Sequence, residues 1–167
     1  MTTWICSQLG ARENYAVARA LHREQRLSSL YTDIWNVQNR YSPDLANANV
    51  HHFTRRFLLR KVLQKTPIKI SHDDDLYDRL VAQHLRNNKS DSKIFFAYSY
   101  ASLQSLGTAK SLGYKTVLGQ INPGPAEADI VVEEFRKFHD GKYPPTVPNS
   151  QYWKRWERKL RCLMLLW

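Results

Sequence analysis

Short apolar runs alternate with stretches of helical spacing along most of the chain. Trp4-Ile5-Cys6-Ser7-Gln8-Leu9 is short, largely apolar and followed by Gly10, a pattern that predicts a buried strand leaving a sheet through a glycine turn. From Glu13 onward Tyr15, Val17, Ala18, Ala20 and Leu21 recur at helical spacing and run into the polar residues 22–26, which predicts a helix. Residues 27–35 return to β-branched and aromatic positions, with Asp33 near their end. Strand, helix and strand within about 30 residues make a βαβ unit.

The middle of the chain follows a different rhythm. Ser42-Pro43-Asp44 suits a helix start, with Ser42 as cap and Pro43 in the first turn. Val50, Phe53, Phe57, Leu58, Val62 and Leu63 then fall on one face of a helix whose other face is basic, ended by Thr66-Pro67. Residues 68–70 suit a short strand, and Asp73-Asp74-Asp75 precedes a helix over 76–86. Alternation then resumes, with strands over 94–98 and 115–121 and helices over 101–112 and 126–138. A proline-rich connector over 139–150 leads into a last helix over 151–165.

This order predicts an α/β fold: a Rossmann-like, doubly wound parallel sheet in a single domain. Ligands of such sheets sit beyond the carboxyl ends of the strands. Residues 8–13, 33–36, 98–100 and 120–124 are therefore the places to look for a site.

Composition changes this picture in a few respects. The 167 residues, 43% hydrophobic and 12% aromatic, suffice for one core and argue against disorder. The net charge of +10 is concentrated in residues 45–72, which carry +6, and 152–167, which carry +4. The remainder is neutral, which disfavours a general nucleic-acid surface. The basic helix expected over 50–65, with Phe53, Phe57 and Leu58 on its other face, instead raises peripheral contact with an anionic membrane. Two cysteines, Cys6 and Cys162, and the lack of an export signal or a spanning apolar run point to a cytoplasmic protein, with Cys6 in a buried strand.

Three stretches resemble the acceptor-side, N-terminal domain of bacterial family 4 glycosyltransferases, which are built from two Rossmann-like domains. They are residues 8–21 (Gln8-Leu9-Gly10-Ala11-Arg12-Glu13-Asn14-Tyr15 with Ala18-Arg19-Ala20-Leu21), Thr32-Asp33-Ile34-Trp35, and residues 119–127 around Gln120-Ile121-Asn122-Pro123-Gly124-Pro125. Tyr98-Ser99-Tyr100-Ala101 and Tyr152-Trp153-Lys154-Arg155-Trp156-Glu157 fit the same order. The similarity covers residues 4–36 and 93–157 and is weak over 40–90. It implies transfer of a sugar from a nucleotide sugar to a glycan or lipid-linked acceptor. It also implies a donor-binding second domain, which these residues do not include, so that the chain is an incomplete enzyme, inactive by itself.

The residue chemistry is compatible with an acceptor site. Gly10 permits close backbone approach, and the next helix offers amides to a phosphate or hydroxyl. Arg12 has forked donors, while Glu13 and Asp33 accept from hydroxyls. Tyr98, Tyr100, Gln120 and Asn122 supply the donors, acceptors and stacking faces that carbohydrate uses. Each also has a plain structural role open to it: a turn glycine, a helix-start pair, a turn cap, packed aromatics. Where many family members carry histidines this chain has Tyr98, Tyr100 and Gln120, so no catalytic residue is assigned.

No cofactor is expected, since the single Gly10 is no dinucleotide fingerprint. No metal is expected either. Asp73-Asp74-Asp75 reads as an acidic helix start, and His51-His52, adjacent in a helix, would point in different directions.

Overall fold

The structure, a computed structural model, describes residues 2–35, 43–63, 73–88, 91, 94–121, 124–138 and 150–162. Five strands, β1 (Trp4–Gln8), β2 (Leu27–Thr32), β3 (Val50–His52), β4 (Ile94–Tyr98) and β5 (Lys115–Gly119), form one sheet in the order β3-β2-β1-β4-β5. Every neighbouring pair is parallel. Six α-helices accompany them among the described residues: α1 (Ala16–Arg23), α2 (Thr54–Leu63), α3 (Asp73–Asn87), α4 (Leu103–Ser111), α5 (Pro125–Phe138) and α6 (Ser150–Arg161). The parallel α/β architecture follows the sequence reading, with β5 present as a parallel strand, paired with β4.

The strands alternate between two cores, as the period of two requires. Ile5, Tyr31, Phe95 and Ala97 face one side, where Phe57 of α2, Tyr77, Val81 and Leu85 of α3 and Leu106 of α4 cover them. Cys6, Leu30, Phe96 and Tyr98 face the other, against Tyr15, Ala18 of α1 and Leu45. Burial pushes the Cys6 thiol up to about 12, so it is an apolar packing group rather than a nucleophile.

The middle segment departs from expectation. Val50–His52 is an edge strand on β2, and the helix read over 50–63 begins only at Thr54. Phe57 is buried in the core, which leaves Leu58 and Leu59 as the large apolar side chains that α2 exposes among its described residues. Pro43–Leu45 is a single 3-10 turn instead of the start of a helix. It is held by Asp44, which pairs with Arg19 and Arg23 of α1. The strand expected over 68–70, Ser42 and Pro67 lie outside the described residues.

The edge strand creates a pH-sensitive contact. His51 stacks on Tyr31 at 4.9 Å, and His84 of α3 meets the His51 ring edge-on at 4.6 Å. Burial, then the neighbouring His84 and His52, lowers the His51 pKa below the ordinary 6.5, and burial lowers that of His84. The unfolded chain thus binds more protons just below pH 6.5, and stability present above that value is lost as pH falls through it. Denaturant midpoints should decline from pH about 7.5 to about 5.5, and His84→Phe should flatten the decline. A wild-type midpoint independent of pH over that range contradicts this reading.

Candidate functional site

The sheet order reverses at β1, whose neighbours β2 and β4 lie on opposite sides of it. In an open parallel sheet, the crevice for a ligand forms beyond the carboxyl ends of the two strands at such a point. Six of the residues singled out in the sequence converge there. Gly10, with φ +72°, turns the chain out of β1, and its amide donates to Asp33 Oδ1 at 2.8 Å. Asp33 therefore ties the loop after β2 to the loop after β1. From the β4 side, the Tyr100 hydroxyl donates to the Leu9 carbonyl at 2.6 Å and the Tyr98 hydroxyl to Glu13 Oε2 at 3.0 Å. The Arg12 guanidinium lies 5.4 Å from the centre of the Tyr100 ring, and the Tyr98 and Tyr100 rings are nearly parallel, 20° apart with centroids 6.2 Å apart.

Burial, and for Tyr98 also the Glu13 carboxylate, raises both phenols to about 12. Both are neutral hydrogen-bonding groups at physiological pH. Arg12 and Glu13 are exposed, so the charged part of the cluster faces solvent while the tyrosines form its floor.

The backbone between Gly10 and α1 differs from expectation. Glu13, Asn14 and Tyr15 all have positive φ, 48°, 56° and 57°, one left-handed turn of non-glycine residues. Each such residue costs about 1–2 kcal/mol. The fold offsets this by burying Tyr15, whose hydroxyl lies 3.2 Å from Thr32 Oγ1, and by the Gln8 side-chain amide, which donates to the Arg12 carbonyl. Helix α1 consequently starts at Ala16, not Glu13. The left-handed segment thus separates Gly10 from the first amides of α1, and side chains follow the glycine turn where helix amides were expected.

Gln120 is exposed just past β5, which ends at Gly119, two residues earlier than read from the sequence. Gly119 pairs with Tyr98 in the sheet, and a Cβ there would lie 2.7 Å from the Tyr98 ring. Only glycine lets that ring lie flat across β5. Asn122 falls outside the described residues.

Three supporting residues escaped sequence reasoning. The Tyr77 hydroxyl on α3 donates to the Tyr31 carbonyl at 2.8 Å, and because a phenol has one proton, it accepts from the Gln8 amide at 2.9 Å and Ser7 Oγ at 3.0 Å. It thereby fixes the carboxyl ends of β1 and β2. Asp78 accepts from the amides of Gln104 and Ser105 at 2.7 and 2.8 Å, capping α4 from a neighbouring helix, while Ser102, at the N-cap position, makes no side-chain cap. Burial raises the Asp78 pKa, opposed by these hydrogen bonds. Buried Lys159 of α6 donates to the Ser99 carbonyl between the two site tyrosines, and burial, then Arg155, lowers its pKa. No local pattern marks any of these three, because each acts on residues distant in sequence.

Of two cavities, one adjoins the cluster. It measures about 370 Å³ and is lined by Tyr100 together with Asp74, Asp75, Arg155 and Lys159. Another of about 580 Å³ lies between Trp35, Leu45, Val50 and His52. Among the described residues no three His, Cys, Asp or Glu side chains converge as metal ligands. His51 and His52 point apart because they alternate along a strand, not because they share a helix. Asp75 is engaged by the Arg155 guanidinium.

Fold and crevice together define a Rossmann-like α/β domain with a polar, tyrosine-floored site at its switch point. Compared with family models, curated proteins and solved structures, the chain matches none. Among the described residues no helix is long and apolar enough to cross a membrane.

Proposed function

We propose that this domain is the acceptor-binding half of a glycosyltransferase, holding a glycan or lipid-linked acceptor against Arg12, Glu13, Tyr98 and Tyr100. The observation that carries the reading is the convergence of these side chains with Gly10 and Asp33 at the sheet's switch point. The half-buried Tyr100 ring beside one exposed cation and one exposed carboxylate suits a ligand with apolar ring faces and many hydroxyls, with buried Tyr98 holding Glu13 beneath it. A nucleotide sugar is a partner only through a donor domain, since a single glycine turn with a left-handed segment behind it makes a poor diphosphate cradle.

The test is calorimetric titration of the chain with a panel of oligosaccharides and lipid-linked saccharides. Saturable binding is expected, weakened about tenfold by Arg12→Ala and by Glu13→Ala, the loss typical of one charge-assisted hydrogen bond. Nucleotide sugars alone should not saturate below about 1 mM. Equal binding by the variants, or no acceptor bound, contradicts the proposal.

A second reading, peripheral membrane contact, is favoured by Leu58 and Leu59, 51% and 63% exposed beside the exposed Arg55 and Arg56. It no longer draws on Phe57, which the core occupies. Vesicle binding lost in the Leu58→Ser, Leu59→Ser double variant supports it, and unchanged binding removes it.

A further inference from the structure

A third cavity, of about 360 Å³, lies between α3, α4 and α6, and its lining is dominated by positive charge. Arg79 of α3 and Lys154, Arg155 and Arg158 of α6 face one carboxylate, Asp75. Asp75 engages Arg155 on one side of the cavity and accepts the Arg79 ε-NH through its carbonyl at 3.2 Å, so both guanidinium groups are held in place. Among the described residues no carboxylate lies within ion-pairing distance of Lys154 or Arg158. The first amides of α4 do not make the site, because Asp78 takes those of Gln104 and Ser105. The cationic side chains do.

We propose that this cavity binds a phosphate-bearing molecule, with a diphosphate group as the best match. Arg155 is paired with Asp75, but Arg79, Lys154 and Arg158 gather round the same concavity and repel each other, and an anion with several oxygens relieves that repulsion. Guanidinium forks bind tetrahedral phosphate through paired N–H···O bonds, and Lys154 adds a point charge. One carboxylate against four cations leaves a surplus of positive charge that a singly charged carboxylate ligand would not neutralise, whereas a diphosphate does. The cavity shares Asp75 and Arg155 with the one beside Tyr100, but Arg79, Lys154 and Arg158 lie outside the tyrosine cluster, so the proposal stands whether or not that cluster binds sugar.

The diphosphate could come from a free molecule or from a lipid headgroup, and two probes separate these sources. The first is inorganic pyrophosphate, titrated by calorimetry at low and at physiological salt. The second is co-sedimentation with vesicles of phosphatidylcholine, with and without an isoprenyl diphosphate lipid. The variants are the exposed pair Lys154→Gln with Arg158→Gln on α6 and, separately, Arg79→Gln on α3. Lys115→Gln serves as the control for a basic residue elsewhere.

Saturable pyrophosphate binding, weakened about tenfold or more by the α6 pair and less by Arg79→Gln, with the control unchanged, supports a free ligand. Binding confined to the vesicles that carry the diphosphate lipid, lost in the same variants and displaced by pyrophosphate, supports a headgroup. The substitutions lie on exposed side chains of two different helices, so one misfolded variant does not decide the outcome. Absence of binding by both probes overturns the proposal. So does binding that the three substitutions leave as strong as in the control.

Discussion

Replacing Asp78 by alanine should lower the stability of the domain by about 3 kcal/mol, because it strips the start of α4 of its cap and leaves buried groups without partners. The Gln104 and Ser105 amides both donate to this carboxylate, and the side chain is almost fully buried, so water cannot replace it without entering the core. Asp78 is also the buried acid whose charge favours the protonated form of Lys159. In a domain of this size the loss corresponds to a fall in Tm of about 10 °C. Asp78→Asn, which retains one acceptor, should recover part of it. The measurement is urea unfolding followed by far-ultraviolet circular dichroism, with a reduced midpoint and an unchanged slope. A midpoint within error of wild type would mean that α4 is capped in another way.

The residue before it should show the second large effect. Tyr77→Phe removes one oxygen but leaves three buried partners, the Gln8 amide, Ser7 Oγ and the Tyr31 carbonyl. The expected cost is about 2 kcal/mol, since unsatisfied buried groups retain their desolvation penalty while the ring still packs. Because those partners lie at the carboxyl ends of β1 and β2, the variant should also loosen the Gly10 turn and weaken acceptor binding without any change at a contacting side chain. Hydrogen exchange at the Gln8 and Gly10 amides separates these effects. Faster exchange at both is expected, and protection equal to wild type at Gly10 would disconnect Tyr77 from the site.

These two neighbours also show where sequence reading stops. Asp78 and Tyr77 sit in a segment read only as helix, and nothing local distinguishes a capping aspartate for α4 from a solvated one. By contrast, β4 is a continuous apolar run and β1 a largely apolar one, each bounded by turns, as a buried parallel strand requires whatever its partners. The edge strand β3 fails that rule. It has three residues, two of them histidine, and Val50 continues the helical spacing of Phe53 and Phe57. Only pairing with β2 makes it a strand.

The site was legible to the extent that topology dictates it. Gly10, Arg12, Glu13, Asp33, Tyr98 and Tyr100 were found by asking what lies beyond the carboxyl ends of the strands, and the structure joins them through hydrogen bonds and ring contacts. The left-handed turn at 13–15 was not legible, since Glu13 and Tyr15 have no preference for positive φ. It is imposed by the burial of Tyr15 and by the hydroxyl contact with Thr32.

The most direct test of the acceptor reading is a nuclear magnetic resonance titration of the isotopically labelled chain with the acceptor panel, following backbone amides residue by residue. The account predicts saturable shifts centred on Gly10, Arg12, Glu13, Asp33, Tyr98 and Tyr100, the residues that meet at the switch point. Shifts centred elsewhere with these six unmoved, or no saturable response to any saccharide, would contradict it.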